Sequence, residues 1–163
     1  MSPRDVIGSK PDANVLEAIA RISHESYVVL EAERGADDTT VGAFDSLPES
    51  LKASSRSFAQ RVYSRLAQLG YDVVVARAYD SWLAATVLSD EQIEALAEQE
   101  HCEWMQARAR ERWRTRSRGA TLRHHPTLVP WKELPAAERD KDRAWVRRLL
   151  RAMDSAGLRL VRK

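Results

Sequence analysis

Residues 12–27 recur 77 positions further along the chain without a gap. Leu16, Glu17, Ala18, Ile19 and Ala20 fall on Ile93, Glu94, Ala95, Leu96 and Ala97, His24 falls on His101, and Tyr27 falls on Trp104. Residues 44–74 recur in the same way with a shift of 87. Phe44 meets Trp131, Leu47-Pro48 meets Leu134-Pro135, Arg56 meets Arg143, Phe58 meets Trp145, Arg61 meets Arg148, Gly70 meets Gly157, and Val74 meets Val161. A repeat of this length is one supersecondary unit used twice, each copy burying a face that it cannot bury alone. The expected architecture is therefore a mainly α (α+β) domain over residues 1–163, with two helix-loop-helix-strand copies related by a pseudo-two-fold axis. Copy one covers about 12–76, the connector 77–88, and copy two 89–163. The shift grows by 10 between the two blocks, which predicts a longer loop in the second copy, carrying most of a run of arginines.

Each copy spells out its own elements. Asp12 and Ser89 are N-cap residues, and Gln92 completes a capping box with Ser89. Ile93, Leu96, Ala97, His101 and Trp104 then share one helical face. Pro48 and Pro135 open the second helix of each copy, where a missing N–H costs nothing. Leu51, Phe58, Val62 and Leu66 stripe one of these helices; Trp145, Val146, Leu149 and Met153 stripe the other. Gly70 and Gly157 end them as left-handed caps, with Tyr71 and Leu158 placed to pack back. The apolar runs 71–75 and 158–161 read as two short strands able to pair with each other.

With 163 residues, 44% of them hydrophobic and 31% charged, the chain can bury roughly 70% of its unfolded surface and needs no staple to fold. Cys102 is the only cysteine, which excludes an internal disulfide or a thiolate zinc cluster and fits a reducing compartment. No run of about 18 apolar residues and no signal-peptide pattern stands in the sequence, so a soluble, cytoplasmic protein without membrane partners is expected. The net charge of +2 is unevenly spread. Residues 1–80 carry 9 Lys and Arg against 12 Asp and Glu, residues 81–163 carry 17 against 12, and seven arginines lie between Arg108 and Arg123. Such a cluster attracts anions, or is simply a solvated helix face and basic loop.

These residues resemble the ryanodine-receptor (RyR) repeat domain, of the type found in prokaryotes and phages. The second copy reads His101-Cys102-Glu103-Trp104, then Trp113, then His125-Pro126-Thr127-Leu128-Val129-Pro130-Trp131, then Leu134-Pro135, and closes on Gly157-Leu158. The first reads His24-Glu25-Ser26-Tyr27, Phe44, Leu47-Pro48, and closes on Leu69-Gly70-Tyr71. The His-Pro-x-Leu-Val-Pro-Trp string is the specific part. The pattern departs from the family where Arg112-Trp113-Arg114-Thr115-Arg116 stands in place of the usual Gly-Trp-x-Tyr-Gly. The first copy also lacks the loop tryptophan and the His-Pro string, so ligand inferences attach to the second. The resemblance implies paired helical repeats. It also implies a binding module rather than an enzyme, one that holds an adenine nucleotide or aromatic compound between its units with tryptophans stacked on it.

On that footing the expected ligand site lies between the two copies. Trp113 and Trp104 line it, with Tyr27 opposite, and Arg108, Arg112 and Arg114 contact phosphate. An aromatic among arginines can stack a base while guanidinium groups hold the anion. His24 and His101 belong to the same candidate set, with a second reading as neutral core histidines bonded to backbone. Trp145, aromatic in both copies, reads as core. No cofactor or metal is expected: His124-His125 lacks helical metal spacing, and Cys102 beside His101 points elsewhere on a helix. The partner expected is a nucleotide-like small molecule (an adenine nucleotide, ADP-ribose derivative or cyclic nucleotide), relayed to an effector protein. A protein-interaction scaffold is the alternative. A nucleic-acid binder is disfavoured by the small net charge and the lack of any helix-turn-helix or zinc pattern.

Overall fold

The computed structural model describes residues 11–33, 42–76, 86–116 and 127–163, with side chains for all of them except Glu31 and residues 111–116. Among the described residues the protein is mainly helical, with four α-helices and one two-stranded antiparallel sheet. It divides into two compact units, residues 1–87 with 148–163, and residues 88–147.

The first unit holds α1 (Ala13–Glu33), a 3₁₀ turn at Phe44–Ser46, α2 (Glu49–Gln68) and β1 (Tyr71–Val75). It also takes in the end of α4 (Ala136–Ser155) and all of β2 (Leu158–Arg162). Asp12 caps α1 by accepting the Asn14 N–H on Oδ1 at 2.8 Å. From α1, Val15, Ile19 and Ile22 are buried, and α2 answers with Ala59, Val62 and Leu66 at the spacing of one helical face. Phe44, at 1% exposure, closes this core from the turn. Gly70 (φ +87°) and Gly157 (φ +82°) turn the chain out of α2 and α4 in the left-handed conformation, and Tyr71 and Leu158 are buried directly after them.

The strands pair antiparallel, Tyr71 opposite Arg162 through Val75 opposite Leu158. Val73 lies opposite Leu160, its own equivalent under the shift of 87. The hydrogen bonds just outside the ladder obey the same rule. The Ala76 N–H donates to the Gly157 carbonyl at 2.8 Å, and the Lys163 N–H donates to the Gly70 carbonyl at 2.9 Å. The strand pair is thus symmetric about Val73 and Leu160. Thr86 Oγ1 adds a bond to the Leu160 carbonyl at 2.7 Å.

The second unit holds α3 (Asp90–Arg116), a 3₁₀ turn at Trp131–Glu133 and residues 136–147 of α4. The capping box forms as its residues dictate. The Ser89 N–H donates to Gln92 Oε1 at 3.0 Å, and the Gln92 N–H donates to Ser89 Oγ at 3.2 Å. Among its described residues, Leu88, Ile93, Leu96, Ala97, Trp131, Leu134 and Val146 are apolar and buried.

Four sequence expectations change. The extra length of the second copy does not all go into a loop: α3 runs to Arg116, so the positions from Arg108 to Arg116, Trp113 included, are helical. The stretch from Met105 to Arg116 has no glycine or proline and holds five arginines and two alanines, so nothing stops the helix. Pro48 is the N-cap residue of α2 rather than its first helical one, and its carbonyl accepts from Leu51 and Lys52. Pro135 stands likewise just ahead of α4 and accepts from Glu138 and Arg139. Leu51 leaves the predicted stripe and is 52% exposed, because the first turn of α2 extends past the buried face. Trp145 is half-buried, not core, while its neighbour Val146 takes the interior position.

Candidate functional site

Both copies build the same local device around their histidine. In the first, His24 Nε2 donates to the Gly42 carbonyl at 2.9 Å, and its ring lies 6.0 Å from that of Phe44. In the second, His101 Nε2 donates to the Val129 carbonyl at 2.8 Å, and its ring lies 5.8 Å from that of Trp131. Gly42 and Val129 are themselves equivalent under the shift of 87. A carbonyl only accepts, so Nε2 carries the hydrogen in both rings. Each histidine thereby ties its first helix to the start of the 3₁₀ turn that follows. The core reading of His24 and His101 describes these bonds.

A second repeated element braces each unit. Arg56 donates to both oxygens of Glu17, at 2.7 and 3.1 Å, and Arg143 donates to Glu94. These guanidinium groups hold both carboxyls below their ordinary value. Glu94 also accepts the indole N–H of Trp131 at 2.8 Å, a bond that Phe44 cannot make with Glu17.

The second unit adds what the first lacks. Asp142 on α4 puts Oδ2 3.6 Å from His101 Nδ1, where the first copy has Ser55. Burial pushes the Asp142 carboxyl above its ordinary value, against the opposing pull of His101. The arrangement is favourable when a proton lies between carboxyl and ring, and costly when a carboxylate faces a bare nitrogen lone pair. Sequence reasoning missed Asp142. Its one signal was an acid standing where the other copy has a serine.

Above this anchor, α3 carries a stack. The Trp104 ring lies 5.8 Å from that of His101, with an interplanar angle of 29°, and the Arg108 guanidinium lies 5.9 Å over the Trp104 ring. Spacings of three and four residues put all three on one helix face. His101 is 5% exposed, Trp104 half-buried and Arg108 exposed, so the stack runs from the core to solvent.

Of the residues predicted for a site, the structure thus brings His101, Trp104 and Arg108 together. His24 sits in the first unit on Gly42, and Tyr27, also in the first unit, is 48% exposed on α1. Arg112, Trp113 and Arg114 continue α3, and their side chains lie outside the described residues. Among the described residues no group of three or more His, Cys, Asp or Glu side chains is placed to hold a metal ion. No described helix is long and apolar enough to cross a membrane.

A helix whose buried histidine ties it to a loop carbonyl is thus followed by a 3₁₀ turn led by an aromatic, a second helix and a short strand. The family model described as RyR domain matches residues 85–162, a similarity that supports assigning this part of the chain to the RyR domain family. No curated protein matches the chain.

Proposed function

We propose that the protein is a non-catalytic sensor of a nucleotide-derived small molecule, read by its second copy, and that residues 12–76 are a diverged RyR repeat. The observation that carries the binding reading is the stack on α3. A half-buried indole is backed by a buried histidine ring and accompanied by an exposed guanidinium. A rigid aromatic platform beside a planar cation suits a ligand with a π-face and an anionic group. His101 is held by the Val129 carbonyl and faced by Asp142, which fixes the ring behind Trp104 in advance. The sequence adds Trp113, Arg112 and Arg114 as further contacts for the same ligand. Tyr27 and His24 are their candidate counterparts in the first copy. Nothing in this set provides a nucleophile paired with a base, so recognition without turnover is the function proposed, in the cytoplasm and with an effector protein downstream.

A thermal-shift screen against AMP, ADP-ribose and cyclic nucleotides tests the reading. A binder at 100 times its dissociation constant stabilises the fold by about 2.7 kcal/mol. A stabilising nucleotide whose effect disappears in Trp104→Ala supports the proposal. No response to any of them, or a response that Trp104→Ala leaves intact, rejects it. Turnover of the bound nucleotide that is lost with a point mutation would instead make the protein an enzyme.

A further inference from the structure

The charges of α3 are divided between its halves. Residues 90–105 hold six carboxylates and no lysine or arginine, whereas residues 106–116 hold five arginines and one carboxylate, Glu111. The small net charge of the chain therefore conceals a strongly basic stretch on one continuous helix. Burial changes at the same boundary. His101 to Met105 are buried or half-buried, and Gln106 to Arg110 are all exposed. Five consecutive residues go once round a helix, so α3 is solvated on every side from Gln106 to Arg110.

Helix geometry sorts the arginines into two stripes. At about 100° per residue, positions 112 and 116 fall on one side of the helix and positions 110 and 114 on the other, with stripe centres about 160° apart. Arg108 borders the first stripe and is engaged with Trp104, so the stripes are counted without it. Within each stripe the arginines stand four residues apart, where like charges repel across one turn. The helix dipole favours cations only in the last turn, which accounts for Arg114 and Arg116 but not for Arg110 and Arg112. An acidic protein surface meets a helix from one side and would engage one stripe. The major groove of duplex DNA, about 12 Å wide, admits a helix about 10–12 Å across and runs between two phosphate backbones.

We infer that residues 106–116 of α3 are a docking helix for duplex DNA, seated in the major groove with one arginine stripe toward each phosphate backbone. Phosphate contacts carry no sequence information, so binding is non-specific and falls steeply with salt. Phosphates beside each stripe also relieve the repulsion between its arginines. The surface is independent of the nucleotide platform at Trp104, because Arg110 and Arg116 stand outside that set.

Fluorescence anisotropy of a labelled DNA duplex of arbitrary sequence, titrated with the full chain at several salt concentrations, tests it. The wild type is compared with Arg110→Ala and Arg116→Ala, one from each stripe, and a polyglutamate peptide of equal charge serves as the second probe. Alanine is the better helix former, so both variants keep the helix, which far-UV circular dichroism checks. For the wild type, the logarithm of the binding constant should fall with the logarithm of salt at a slope of about −3 to −4. Each substitution should make that slope shallower by about one, and the duplex should bind more tightly than polyglutamate. No binding of the duplex at low salt overturns the inference. So does a change in only one of the two variants, or in neither, since the groove needs both stripes. Polyglutamate binding as tightly as the duplex would make the partner an acidic protein and overturn it as well.

Discussion

His101 donates from Nε2 to the carbonyl of Val129, and this bond joins the middle of α3 to the turn in front of Trp131. Its equivalent joins His24 to Gly42. The two bonds differ in what surrounds them, since His101 is buried and faced by a carboxyl, whereas His24 is only half-buried. Replacing a buried, bonded ring leaves both a cavity and an unpaired carbonyl. His101→Ala is therefore expected to cost roughly 3–4 kcal/mol, and His24→Ala about half as much. Chemical denaturation of the two variants checks the ranking; equal losses would show that burial does not set the cost.

Asp142 supplies a pH dependence. Its carboxyl is held above the ordinary value, chiefly by burial. In the window between the ordinary and the raised value, the folded state binds more protons than the unfolded one. The stability contributed by Asp142 is therefore complete below the ordinary aspartate range and declines as pH rises through the raised value. Asp142→Asn removes that decline. Melting temperatures measured against pH are expected to converge for the two proteins in acid and to favour the variant at neutral pH. A difference of the opposite sign would contradict the desolvated carboxyl.

Trp131 and Glu94 predict an asymmetry between the copies. Glu94→Ala breaks the contact with Arg143 and also strands the buried indole N–H of Trp131. Glu17→Ala breaks only the Arg56 contact, since Phe44 has no polar hydrogen to strand. The extra cost of the Glu94 variant is roughly 1–3 kcal/mol. Adding Trp131→Phe to Glu94→Ala should recover most of it, as a double-mutant cycle by denaturant unfolding would show.

Much of this fold was legible in the sequence because the chain states it twice. Gly70 and Gly157 and the Ser89–Gln92 box are local signals whose chemistry acts within a few residues, and the structure uses them where they stand, while Pro48 and Pro135 stand one position ahead of the helices they were expected to open. The His-x-x-aromatic spacing likewise placed His101 and Trp104 on one face. What stayed hidden depends on partners distant in sequence. Asp142 becomes interesting only when α4 brings it against His101. The extent of α3 was missed because an equivalence with α1 implied an equal length, while continuous good helix formers carried α3 past it. Trp145 misled because its aromatic counterpart, Phe58, implied a core that neither fully enters: both are half-buried.

Trp113 remains an expectation from the sequence alone, and one variant decides its role. If it stacks on the ligand, Trp113→Ala weakens nucleotide binding about ten- to a hundred-fold and leaves the melting temperature unchanged. If it only covers the edge of the core, the melting temperature falls and affinity does not.

The most direct test of the central claim is the AMP affinity of Trp104→Phe and Trp104→Ala measured side by side with the wild type by calorimetry. Stacking predicts graded losses: a small one for the phenylalanine, which keeps a π-face, and about ten- to a hundred-fold for the alanine. Equal affinity in all three proteins would show that the α3 stack is not where the nucleotide binds, and would contradict the proposed function.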